Sequence, residues 1–292
     1  MTKTAASEPA AAGSLAVRLL VVLPPPPRRH RLRGGAVTGI CPPQTFKYEP
    51  GTTTHVHREK ATFTDLATAT YCPRQLYYDR REDDREPPAA ATDRIGLAFR
   101  YPELRELDDA ALAAEPIDRP PGEYRAALDR LAKRSDWATL SSPTNTRVLL
   151  NGRDARGVAH KVLGAIGADA PRDEDGNPTG DPPVPVIVSP GEPPERGVWE
   201  PQSVTAVAAM HALSWQEGRR IRRALVEYPA HGVVRDVSLS VRRSGTYRRV
   251  LRSVRDMDGP PARLTSSAKC RECRHRTNCG VKTRSLRSLV GL

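Results

Sequence analysis

The chain has 292 residues and a net charge of +12, with 38% hydrophobic and only 5% aromatic residues, enough for one core of about 200 residues plus tails. The charge is uneven: residues 1–60 carry nine Arg/Lys against three Glu, 219–292 carry nineteen against five, and the stretch between them is acidic. Five cysteines are too few and too clustered for a secreted disulfide scaffold; a basic C-terminal third on an acidic body suits a nucleic-acid backbone, the other reading being a solvated Arg-rich surface.

Residues 1–60 are rich in Ala, Pro, Arg and Thr with no sustained apolar period, and they read as a disordered or mis-annotated N-terminal extension. Within them the apolar run Ser14–Leu23 contains Arg18, leads into Pro24–Pro27 and lacks a small-residue cleavage site. It is too short for a membrane span and unlike a signal peptide, so a cytoplasmic protein with no membrane attachment is expected. Cys41 lies in this extension and is left out of the site. Ordered structure is expected over 61–285, with 286–292 as a tail. A first helix, capped by Thr64 or Asp65, should carry Leu66, Tyr71, Cys72 and Leu76. A charged loop follows at 81–92, then helices near 103–114 and 122–134, the second with Tyr124, Leu128 and Leu131 at helical spacing. Strands are predicted at 147–150, 157–164 and 184–189, with a polar loop at 169–181 whose Asp173–Asn177 run reads as a solvated turn. A helix over 201–217, strands at 224–228 and 233–241 and a helix over 247–257 complete an α/β core with a mixed sheet.

The most specific pattern is Cys72, in Tyr71-Cys-Pro-Arg-Gln75, together with Cys270-x2-Cys273-x5-Cys279. A single early cysteine and a late triplet can converge on one iron–sulfur cluster. Zinc accepts four sulfurs tetrahedrally, but its sites more often pair two short Cys-x2-Cys knuckles; unrelated thiols are the third reading. Arg271, Arg274, His275 and Arg276 surround the triplet and Arg74 follows Cys72. These four arginines are the candidate nucleic-acid contacts, facing a phosphate backbone, an anionic cluster or water.

At these residues the chain resembles the CRISPR-associated RecB-like exonucleases of the PD-(D/E)XK nuclease superfamily, over about residues 62–285. The resemblance implies a PD-(D/E)XK (restriction-endonuclease-like) mixed sheet flanked by helices. It also implies a 4Fe–4S cluster on Cys72, Cys270, Cys273 and Cys279. DNA is the implied partner, with other CRISPR or DNA-repair proteins as further candidates. Such nucleases cut DNA with Mg or Mn held by a His, an Asp and the acid of a Glu-x-Lys strand, the metal activating water and the Lys neutralising developing charge.

The chain departs from that pattern. His160 stands where the metal-binding Asp should be, and Ile187 and Ser189 stand at the Glu-x-Lys positions. No lysine in the chain has an acid two residues before it, and the helix over 122–134 has no His. The expected Gln-x3-Tyr after Trp199 reads Thr205 and Ala209. The expectation is therefore a nuclease-fold iron–sulfur protein with a decayed nuclease site. One alternative is an active exonuclease with migrated acids drawn from Asp154, Asp169, Glu192, Glu195 or Glu200; another is a zinc- or cluster-bearing nucleic-acid-binding module unrelated to CRISPR. His160 itself reads as a satisfied core histidine before it reads as a ligand.

Overall fold

The computed structural model describes residues 59–82, 88–264, 267–271 and 273–279. Apart from Glu59 and Lys60, the expected extension over 1–60, with Cys41, lies outside these residues, as does the tail 286–292. A short strand β1 (Ala61–Thr62) leads into α1 (Phe63–Tyr71), α2 (Pro73–Asp79), α3 (Ala89–Gly96), α4 (Tyr101–Glu106), α5 (Asp109–Ala114), α6 (Pro121–Ala132) and α7 (Trp137–Ser141). The chain then forms β2 (Asn145–Asn151), β3 (Ala155–Leu163) and β4 (Val184–Val188). It continues through α8 (Glu200–Glu217), β5 (Arg223–Tyr228), β6 (Val233–Ser238), α9 (Val241–Arg255) and α10 (Ser267–Arg271).

The architecture is α/β, with a mixed sheet between two helical layers. β3 pairs antiparallel with β2 and β4 and parallel with β1; β4 and β5 are parallel neighbours, and β6 closes the edge antiparallel to β5. The parallel β4–β5 pair requires a crossover, and α8 supplies it. α1, α8 and α9 cover one sheet face around Phe63, Leu66, Val207 and Leu251. The short helices α4 to α7 cover the other around Tyr101, Tyr124, Leu128 and Leu140. α8 is buried on nearly every side because its Ala206, Ala208, Ala209 and Ala212 let neighbours approach on several faces. It stops at Gly218, whose φ of 65° is the left-handed conformation that ends helices. Among the described residues no helix is long and apolar enough to cross a membrane.

Several expected boundaries shift for local reasons. Thr62, rather than Thr64 or Asp65, caps α1 by accepting from the Asp65 N–H at 2.9 Å. Proline disfavours helical conformation in the residue before it, so Pro73 ends α1 and opens α2, leaving Cys72 extended at φ −157° between them. The helix expected near 103–114 is two helices, because Asp108 accepts from the Ala111 N–H and starts α5 afresh. Within the loop expected over 81–92, α3 already begins at Ala89. β6 ends at Ser238 rather than reaching 241, and α9, capped by Ser240, starts at Val241, six residues before the expected start at 247.

Gly157 on β3 sits beneath the ring of Phe63. A Cβ built there would lie 2.2 Å from Phe63 Cγ and 2.6 Å from its Cβ. Gly157→Ala should therefore destabilise by ~1–3 kcal/mol through overpacking. In contrast, Gly245→Ala on α9, where nothing lies within 4 Å, should stabilise by about 0.5–1 kcal/mol. Urea unfolding midpoints of the two variants check both signs.

Candidate metal centre

The four predicted cysteines line one pocket. Cys72 enters from the α1–α2 junction, Cys270 from α10, and Cys273 and Cys279 from the turn that follows. The cavity between them is about 30 Å³, and Tyr71, Arg74, Tyr78 and Lys269 contribute to its wall. All four thiols are free and partly buried. Burial pushes the Cys273 thiol up; the His275 N–H opposes this, and charges on Cys279, Cys72 and Cys270 add to it. Four thiolates facing one space repel one another, and a cationic group between them turns that cost into attraction. By residue type these are the donors a thiolate-bound cofactor uses. Among the described residues no group of three or more His, Cys, Asp or Glu side chains is placed to hold a metal ion, whether at the cysteines, at His160 or elsewhere.

The loop carrying the triplet is also held by protein contacts alone. His275 is 2% exposed; its Nε2 meets Asp79 Oδ1 and its Nδ1 lies 3.1 Å from Glu82. Arg274 donates to the same Asp79 carboxylate at 2.7 Å across 195 positions of sequence. Burial works to raise the Asp79 pKa, but the His275 and Arg274 hydrogen bonds outweigh it and hold the carboxyl below the usual range. Lys269 stands 4.5 Å from the Tyr71 ring centroid and donates to the Tyr71 carbonyl at 3.2 Å, a further tie between triplet and first helix.

The four candidate arginines divide. Arg74 donates to the Pro261 carbonyl at 2.7 Å and interacts with Cys279 and Tyr78, so it is spent on the pocket wall. Arg274 is spent on Asp79. Arg271 and Arg276 are exposed at the surface.

At the positions where the resemblance placed nuclease chemistry, the side chains are otherwise engaged. His160 accepts from the Val188 N–H through Nδ1 at 3.1 Å. Burial, with the Lys161 and Arg147 charges, holds its pKa down at about 4, so the ring is neutral at pH 7. Ile187 is buried against α8, and Ser189 accepts from Gln202 at 3.2 Å. Of the acids that could have migrated, Asp154 is paired with Arg255 at 2.9 Å. The Asp173–Asn177 run is an exposed turn closed by the Asn177 N–H on Asp173 at 2.7 Å.

Two constellations escaped the sequence reading. One is the Asp79–His275 contact. The other lies under α4 and α7, where Lys161 and Glu227 are both fully buried and 3.0 Å apart. Lys161 donates to the Ala98 and Leu140 carbonyls at 2.6 and 2.9 Å, and Tyr101 donates to Glu227 at 2.8 Å. Burial drives the Lys161 pKa down and the Glu227 pKa up, while their attraction opposes both shifts. All three ammonium donors are used, so the group acts as a structural tie between sheet and helices. The available signal was a charged residue inside each of two apolar runs, Val158–Leu163 and Ala224–Tyr228.

No family model matches the chain, and no curated protein matches it. Among solved structures it is similar to the crystal structure of SSO0001, with 12% identity, 78% of this chain and 90% of that one covered and a TM-score of 0.34, too distant to carry a functional conclusion.

Proposed function

We propose that this chain is a PD-(D/E)XK-type, cluster-stapled α/β protein that acts on or near DNA as a scaffold or partner-binding element, its nuclease site having decayed. The carrying observation is that Cys72, Cys270, Cys273 and Cys279 line a single pocket although the first lies far in sequence from the other three. A 4Fe–4S group would be held by those four thiolates, joining the triplet to the α1–α2 junction; zinc would instead need all four sulfurs about 2.3 Å from one point. Decay is supported by what occupies the nuclease positions: a neutral, hydrogen-bonded His160, a core Ile187 and a Ser189 satisfied by Gln202. CRISPR-associated or DNA-repair proteins are the partners, and the cytoplasm the compartment, that this reading entails.

The test is anaerobic purification followed by iron, sulfide and zinc analysis, with a single-stranded DNA degradation assay in Mn²⁺ on the same material. Four iron and four sulfide per chain, lost in Cys72→Ala, together with no DNA cutting, is the expected result. Stoichiometric zinc without iron overturns the cluster. Cutting that survives His160→Asn but stops on changing one of Asp154, Asp169, Glu192, Glu195 or Glu200 overturns the decay.

A further inference from the structure

Away from the cysteines, a cleft of about 700 Å³ opens between the C-terminal half of α8, the start of α9 and the β2–β3 turn. Arg153, Arg220, Arg222 and Arg248 line it from four separate stretches of chain, and each is exposed. The arginines elsewhere set a contrast. Arg94, Arg100, Arg105, Arg125, Arg134 and Arg223 all reach a carboxylate within 3.1 Å. None of the four cleft arginines makes an ion pair or side-chain hydrogen bond with a described residue. Asp154 is the acid in the cleft, and Arg255 already neutralises it. Like charges gathered without counter-ions cost free energy unless an anion completes them.

Two further features narrow the anion. Trp215 is 60% exposed on the cleft wall, a large apolar ring left in water where α8 ends. The start of the 15-residue α9 also lines the cleft through Ser240 and Ser244; Ser240 already caps the Arg243 N–H there, and the positive end of the helix favours an anion nearby. Arginines and a helix start serve a phosphate chain, and an exposed indole serves an unpaired base, because duplex bases keep their faces stacked on one another.

We propose that this cleft binds a single-stranded nucleic acid, with Arg153, Arg220, Arg222 and Arg248 on successive phosphates and Trp215 stacked on a base. It rests on the reading that the chain works on nucleic acid, and it moves the contact surface from the cysteine loop to the α8–α9 cleft. Neither Asp79, the cysteines nor the Lys161 group takes part.

The test is fluorescence anisotropy of labelled oligo-dT and oligo-rU with the full chain at several salt concentrations. The variants are Arg220→Glu/Arg248→Glu, Trp215→Ala and the control Arg271→Glu/Arg276→Glu, each checked by thermal unfolding. Wild-type protein should bind, with log K falling linearly in log salt. The cleft charge reversal should weaken binding at least tenfold and lower the salt slope by about 1.4, the loss expected for two phosphate contacts on a single strand. Trp215→Ala should cost ~5- to 100-fold with the slope unchanged. The control should bind like wild type, and whichever oligonucleotide binds tighter identifies the sugar. No wild-type binding overturns this proposal and the nucleic-acid reading together. Binding lost only in the control overturns the cleft and leaves that reading standing. Equal competition by duplex or by polyglutamate, with Trp215→Ala silent, overturns the single-strand assignment.

Discussion

Lys161→Met alone is expected to destabilise the fold by ~3–5 kcal/mol, because it leaves Glu227 ionisable and unpaired where no water reaches. The Glu227 side chain is 0% exposed and would keep only the Tyr101 hydroxyl as its partner among the groups now bound to it. Glu227→Gln, which strands the ammonium instead, should cost a similar amount. The double variant Lys161→Met/Glu227→Leu should recover part of the loss, since no buried charge remains. Recovery should be incomplete, because the Ala98 and Leu140 carbonyls lose the donor they share now. Urea denaturation of the three variants tests the order. A double variant no more stable than Lys161→Met would show that the carbonyl contacts, not the charge pair, dominate.

The second large effect is a dependence of stability on acid. His160 has a folded pKa held down at about 4, whereas an unfolded histidine titrates near 6.5. Between those values the unfolded chain binds a proton that the folded chain refuses. Stability is therefore full above about pH 6.5 and falls as the pH drops toward 4, by up to ~3 kcal/mol from this residue. His211 and His231 are lowered as well and act in the same direction, so the comparison must be made against a variant. His160→Asn keeps an oxygen where Nδ1 accepts the Val188 N–H and removes the titration. Unfolding free energies at pH 7 and pH 4.5 should differ by less in the variant than in the wild type. Equal slopes would show that the ring is protonated without cost and is not enclosed as described.

Much of the sheet was legible because its strands are apolar runs bounded by turns. β4, the run Val184–Val188, is buried almost throughout and could hardly be read otherwise. The long helix α8 was legible from the helical spacing of Val204, Val207, Ala208, His211 and Ala212. The start of α9 was not: Val241-Arg-Arg-Ser-Gly245 shows solvent an Arg-rich, Gly-bearing face with no apolar period, and only the Ser240 cap marks it. α3 was missed for the same reason, since it buries none of its residues. At the candidate site, the cysteines could be chosen by type and spacing. Their helpers could not: Asp79 and His275 meet across 196 positions, and nothing local distinguishes either from a surface residue. The arginine assignment was limited in the same way, since charge can be counted in a sequence but not whether a carboxylate already answers it.

The Asp79–His275 contact also bears on how the chain is made. Its two residues are 196 positions apart, and β1 must wait for β3, where Ala61 aligns with Ala155. A ribosome adding about 5–20 residues per second needs ~10–40 s to pass from one end of that contact to the other. During that interval Phe63 and Leu66 have emerged, while α8 and α9, which will cover them, have not all been synthesised. The apolar side of the first helix is thus the earliest-made part of this core, and it stays uncovered until those partners emerge. Because so many contacts join distant parts of the chain, closure is slow relative to helix formation. The helices that open the fold are among the last to be enclosed, and the C-terminal loop encloses them.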